Sequence, residues 1–260
     1  MKLTLAVTAL CFLLPAGLLA ETAFVLNGRN MLIRIDTNTP GFTDASVLIR
    51  GLQPGESVLG IDFRPANGML YGLGSQNRLY RIDTATGMAT AVSAAPFATA
   101  LEGTEFGFDF NPAVDRIRVV SNTGQNLRLH PDTGTIAAVD GRLHSDSPAE
   151  FKIVGAAYTN SVAGATSTVL FGIDAESRAL VTQNPPNDGK LNRVGMMSID
   201  MSEVAGFDIS PRSGIAYIAA RVRATAMSAL YEVNVTTGAT LQLGVFDGLD
   251  QIGGFAIPPR

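Results

Sequence analysis

Three aspartates occupy one repeated position in this chain. They are Asp62 in Gly60-Ile61-Asp62-Phe63, Asp109 in Gly107-Phe108-Asp109-Phe110, and Asp208 in Gly206-Phe207-Asp208-Ile209. Two further copies of the pattern, Gly155-Ala156-Ala157-Tyr158 and Gly254-Phe255-Ala256-Ile257, carry alanine there. The residues one and three places after each glycine are apolar, so strand alternation puts the second and fourth places on the other face. The fourth places are Arg64, Asn111, Thr159, Ser210 and Pro258. Carboxylates at equivalent points of equivalent strands can gather on an axis. There they could hold a hard cation such as Ca²⁺ through oxygen ligands, the chemistry of a calcium-dependent, lactonase-like hydrolase. Alternatively each could accept a backbone N–H from the neighbouring unit. A buried carboxylate needs partners before it serves any other purpose, which favours the second role.

Two other sets of polar residues follow the repeat. An acid precedes every copy: Glu56, Glu105, Glu150, Glu203 and Asp250. If the copies form a ring, these acids emerge on one face with Asn122, either as a negative mouth that draws in a ligand or as a solvated rim. Between Asp115 and Pro131, Arg116 and Arg118 alternate with Ile117 and Val119, and Asn126, Arg128 and His130 alternate with Leu127 and Leu129. One face of that hairpin is therefore apolar and the other basic. Buried charge without a partner is costly. The arginines either pair with acids of the next unit or line a wet groove for a carboxylate or sugar-like ligand. The run Gln183-Asn184-Pro185-Pro186-Asn187-Asp188-Gly189 reads as a shaped hairpin end or a displayed recognition loop.

Other chemistries lack their residues. The two histidines, His130 and His144, are too few for a His-rich metal site. There is no GxSxG elbow, and His144-Ser145-Asp146 are sequence neighbours that do not converge as a triad. No Trp is present to stack a quinone cofactor, and no glycine-rich loop is spaced to cradle a phosphate.

The elements that position these residues are short strands. From Gly103 to Asp140, four apolar-alternating runs (Phe106–Phe110, Arg116–Val120, Asn126–Leu129 and Thr135–Val139) are separated by Asn, Pro, Asp and Gly turn signals. The repeat glycines are 47, 48, 51 and 48 residues apart. A period near 47 with four strands per unit is a propeller blade. Phe24–Leu26, Met31–Asp36 and Ala45–Ile49 read as a blade lacking its innermost strand, and Ile252–Ile257 reads as an innermost strand alone. The chain is therefore predicted to be all-β, a five-bladed β-propeller closed by pairing of the C-terminal strand with the N-terminal blade. The blades are 252–257 with 22–50, 57–93, 104–140, 152–197 and 204–246, and 21–260 form a single domain. Ala220–Ala229 is expected to be an extended connection inside the fifth blade.

The runs GLQPGESVLGIDFRPANGMLYGLG, EFGFDFNPAVDRIRVVSNTGQNLRLHPDTG and LVTQNPPNDGKLNRVG resemble the bacterial family of exported proteins known as DUF4394. The resemblance covers nearly all of the chain after the N-terminal segment. It implies a β-propeller-like fold and an undefined function, and it brings no catalytic residues to carry over.

Residues 1–20 have a basic start at Lys2, an apolar stretch and a small residue at Ala20, as a secretory signal peptide does. Cys11 is the only cysteine, and Thr8-Ala9-Leu10 before it fits a lipid-attachment box poorly. Loss of Lys2 takes the net charge from −4 to −5, which argues against a nucleic-acid partner. No second apolar run could span a membrane. The expectation is an exported protein, periplasmic or extracellular, that acts as a non-enzymatic binding or interaction module at its channel mouth. Its partner would be a protein, glycan or small molecule, or it would pack as a scaffold in an envelope complex. Candidate ligand residues are Glu56, Arg64, Glu105, Asn111, Arg116, Arg118, Asn122, Arg128 and Glu203. Candidate Ca²⁺ ligands, in the hydrolase alternative, are Asp62, Asp109 and Asp208.

Overall fold

A computed structural model describes residues 20–147, 149–223, 227–249 and 251–259, with backbone alone at 202–205. The segment expected as a signal therefore lies outside the described residues, apart from Ala20. Alternating apolar residues between tight turns form strands in chain order. They are β1 (Thr22–Asn27), β2 (Met31–Asp36) and β3 (Thr43–Leu48), then β4 (Val58–Phe63), β5 (Leu70–Gly74), β6 (Arg78–Ile82) and β7 (Ala89–Ala91). Next come β8 (Phe106–Asn111), β9 (Arg116–Ser121), β10 (Asn126–His130), β11 (Thr135–Val139), β12 (His144–Ser145), β13 (Ile153–Tyr158), β14 (Leu170–Asp174), β15 (Ala179–Gln183) and β16 (Lys190–Met196). The last are β17 (Met201–Ile209), β18 (Ala216–Val222), β19 (Ser228–Val233), β20 (Thr240–Val245) and β21 (Ile252–Ala256).

These strands make five small sheets, arranged as a five-bladed β-propeller. Blade one has the order β21-β1-β2-β3, so the C-terminal strand lies innermost beside the N-terminal one. Phe24 pairs with Ala256 and Val25 with Phe255 in an antiparallel register. The other blades are β4–β7, β8–β11, β13–β16 and β17–β20. Two features differ from the sequence reading. β18 and β19 extend into the expected Ala220–Ala229 connection, pairing Ala220 with Ala229 and Arg221 with Ser228. The blade-three-to-four connection adds β12, a two-residue strand parallel to the outer strand β16. Like the Arg50 bridge to Met88 on blade two, it covers an edge that would otherwise be open to another chain.

Buried apolar residues fall into five clusters, one at each joint between neighbouring blades. At the axis the inner strands approach so closely that the repeat glycine has no room for a side chain. A Cβ on Gly60 would lie 2.8 Å from Cβ of Phe108, and one on Gly206 would lie 2.5 Å from Cβ of Phe255. A Cβ on Gly107 would meet Ala156 at 2.6 Å. Gly60, Gly107, Gly206 and Gly254 thus each admit the residue one place after the glycine of the next blade. This glycine layer leaves a void of about 10 Å³, lined by Ile61, Phe108, Ala156, Phe207 and Phe255 among others, roughly the space of one water. The channel is therefore plugged at this level. Among the described residues, no helix is long and apolar enough to cross a membrane.

Closure and the glycine layer can be tested by substitution. Phe255 is 2% exposed and packs in the blade-five-to-one cluster, so Phe255→Ala is expected to cost about 3–5 kcal/mol in urea unfolding. Gly107→Ala, whose new Cβ would meet the Ala156 backbone nitrogen at 2.7 Å, is expected to lower the melting temperature as well.

Candidate functional site

Asp62, Asp109 and Asp208 converge on the axis directly below the glycine layer. One carboxylate oxygen from each lies within 4.8 Å of the others, and all three residues are buried. Each also reaches the next blade. Asp62 accepts the Phe110 amide at 2.7 Å, Asp109 accepts that of Tyr158 at 2.9 Å, and Asp208 accepts that of Ile257 at 2.7 Å. These are the amides three places after the glycine in blades three, four and one. The corresponding amides of blades two and five follow blades that carry alanine, Ala256 and Ala157. Those amides turn to their own neighbours: Phe63 N–H donates to Asp62 Oδ1 at 2.7 Å and Ile209 N–H to Asp208 Oδ1 at 2.6 Å. Three carboxylates therefore satisfy five axial amides. Among the described residues, Oδ2 of Asp109 is the one axial carboxylate oxygen left without a hydrogen bond.

Burial pushes all three carboxyls upward. Asp62 is raised well above the usual carboxylate range by desolvation and then by the charge of Asp208. Asp109 is raised by desolvation and then by Asp62 and Asp208. Asp208 is pushed up to about 7 by desolvation, with the Ile257 and Ile209 amides pulling it back and Glu21 pushing it further up.

The other candidate residues lie at separate places. On the face where each blade connects to the next, Glu56 is 5% exposed; it accepts the Tyr80 hydroxyl and the Gln76 amide. Asn122 accepts the Thr104 amide and donates to the Thr104 hydroxyl, fixing a turn. Glu105 lies 3.5 Å from Lys152 Nζ and lines the channel mouth. Glu150 is exposed, while Asp250 and the Glu203 side chain are outside the described residues. On the opposite face Arg64 is held by Asp115 and Asp132 of blade three, Asn111 caps a turn at Ala113, and Arg116 donates to the Asp115 carbonyl.

The basic face of blade three joins blades three and four. Arg118, 1% exposed, donates to Tyr158 Oη at 3.3 Å and Asn187 Oδ1 at 2.8 Å across the joint. It also donates to Asn126 and Asp140, and Arg128 forks onto the same Asp140. The acid therefore comes from the end of the same blade, not from the next one, which supplies neutral acceptors. The Pro185-Pro186 loop docks on this joint, where Asn126 donates to the Pro186 carbonyl. It is a shaped hairpin end.

Sequence reasoning missed Tyr80 and Asp140, and it named Asn187 only as part of a loop; all three take up charges it had singled out. It also missed Arg221, Arg223 and Gln251, which line the mouth beside Glu105. No periodic signal marked these three, because they sit in or beside the loops where the repeat lapses.

The raised axial carboxyls have a sign. A carboxyl raised on folding binds its proton more tightly in the native state. Its contribution is fully present below the unfolded value, near 3.9, and is lost as pH rises through the folded value, about 7 for Asp208. The melting temperature of the wild type should therefore fall between about pH 4 and 7, and Asp109→Asn should flatten that fall by placing an amide where Oδ2 has no partner. Asp62→Asn and Asp208→Asn each put an N–H against a backbone N–H, and should cost about 1–3 kcal/mol at any pH. Thermal melts across pH check both.

Comparison with known proteins adds the following. Among solved structures, one of a protein of unknown function from Bacteroides thetaiotaomicron superposes with a TM-score of 0.55 at 11% identity, over 85% of this chain and 58% of the other. The present chain thus spans under two thirds of that protein's length. Myxococcus xanthus glutaminyl cyclase matches with a TM-score of 0.49 at 11% identity, over 84% of this chain and 83% of the other. Likeness at such identity concerns the fold alone. No curated protein matches the sequence. The family described as "Domain of unknown function (DUF4394)" matches residues 31–256, and the chain, a five-bladed β-propeller over that whole span, belongs to it.

Proposed function

We propose that this protein is an exported, non-enzymatic binding module whose ligand, a protein, glycan or small molecule, seats at the channel mouth. The observation that carries this reading is a depression of about 420 Å³ lined by Leu59, Thr104, Glu105, Arg221, Arg223 and Gln251 with neighbouring apolar residues. That volume is within the usual range of ligand clefts, which combine apolar walls with a few convergent polar groups. Its lining comes from blades one, two, three and five. Depressions of about 360 and 530 Å³ lie on blade four with its leading connection and on blade two alone. Only the mouth, among these three, depends on closure of the ring. The glycine layer seals its floor, as a receptor surface needs and a conduit does not.

A second reading, a calcium-dependent lactonase-like hydrolase, draws support from the axial aspartates. Oxygens within 4.8 Å of one another match the span across a cation held at 2.3–2.6 Å, and the donors are anionic oxygens that suit a hard ion. Against its hydrolytic part stands the void of about 10 Å³ on the mouth side, which admits a water and no lactone.

The two readings separate by experiment. Wild type screened against an oligosaccharide panel and native envelope extract is expected to retain a partner that the Arg221→Ala/Arg223→Ala variant loses while still melting in one cooperative step. Conversion of a bound compound to product would instead favour the hydrolase. So would a rise of several degrees in melting temperature with Ca²⁺, reversed by chelator and matched by calcium in elemental analysis.

A further inference from the structure

Glu21, just ahead of β1, is a buried acid. Glu21 is 1% exposed, whereas Ala20 beside it is exposed. Three contacts fix Glu21 between blades five and one. Its backbone nitrogen donates to Thr37 Oγ1 at 3.1 Å, its carbonyl accepts the Thr37 amide at 2.9 Å, and Oε2 accepts the Ser210 hydroxyl. Oε1 is buried with no hydrogen-bond partner among the described residues. A buried carboxylate oxygen without a donor is costly.

The surroundings supply no compensating charge. Burial and then Glu21 push the Tyr217 hydroxyl up to about 12, and Glu21 adds to the burial that raises Asp208. The groups facing Glu21 are Asp208 from β17, Tyr217 from β18, Ser210 from the loop after β17, and Thr37 from the end of β2. None of these is a cation.

We propose that removal of the leader after Ala20 supplies the missing cation: the freed α-ammonium of Glu21 is a built-in structural ion that completes ring closure. The step is hydrolysis by a leader peptidase. The Ala20–Glu21 C–N bond breaks, water oxygen becomes part of the Ala20 carboxylate, and the Glu21 nitrogen takes up protons. The nitrogen already donates one hydrogen to Thr37. The two gained on cleavage can turn to the residue's own Oε1, since a glutamate carboxyl can fold back on its α-nitrogen. A charge-assisted pair forms at the joint between blades five and one. The inference does not depend on what ligand the mouth takes.

The test begins with intact mass of the protein exported from its own leader, expected to start at Glu21. Two forms, starting at Glu21 and at Ala20, are then made by cleavage of a removable tag. The Glu21 form is expected to melt about 3–8 °C higher. The gap should vanish in the Glu21→Gln background, a double-mutant comparison that is informative even if Glu21→Gln lowers both melts. A different start in the exported protein, equal melting of the two forms, or a gap that survives Glu21→Gln overturns the proposal.

Discussion

The ring depends on backbone amides that have no strand to bond. In an ordinary sheet the innermost strand would pair on both sides. Here its inner edge faces four others across an axis, and the amide three places after each repeat glycine is buried there. Buried amides must find acceptors. Two carboxylate oxygens per aspartate let three side chains serve all five positions. The order around the ring explains which blades can do without. Blades two and five each follow an alanine-bearing blade, so Asp62 and Asp208 hold their own amide as well as the next. Blade three follows Asp62, so Asp109 holds only one. The alanines at 157 and 256 are thus part of the same arrangement as the aspartates.

The joints between blades are not equivalent. Four of them bring large apolar faces together, while blade three contributes only Val120 and Leu143 to its cluster with blade four. Arg118 fills that space and is satisfied by Tyr158, Asn126, Asp140 and Asn187. Such a buried network adds little net stability over an apolar joint. It does require one particular neighbour, because an unmatched guanidinium in a joint would be left without acceptors. In a ring of similar sheets this requirement favours the native order of blades over a swapped one.

Much of the architecture was legible in the sequence because the repeat carries it. The 47-residue spacing, the strand alternation and the split first blade pointed to five blades and to closure by Ile252–Ile257. The function of the glycines was not legible, since their crowding involves the next blade, about 48 residues away. Nor was the division of labour among the axial aspartates, which is a matter of register between sheets. The buried charged side chains were recognisable as charges but not by partner: Glu56 turns to Tyr80, 24 residues on, and Arg118 reaches Asn187, 69 residues on. The two-residue β12 has too little periodicity to announce itself.

The same distinction bears on where function resides. Side chains that recur with the blades, the glycines, axial aspartates and inner apolar residues, are consumed in making the ring, and their polar atoms point at its own backbone. A ligand must be met by groups the framework does not need in five copies. Arg221 and Arg223 lie at and just past the end of β18 in blade five, and among the described residues no other basic side chain lines the mouth. They stand beside Glu105, one of the acids that precede the repeat glycines at varying distances. Specificity in a ring of this kind arises where the symmetry is broken, and at the mouth it is broken on the side where the two ends of the chain are joined.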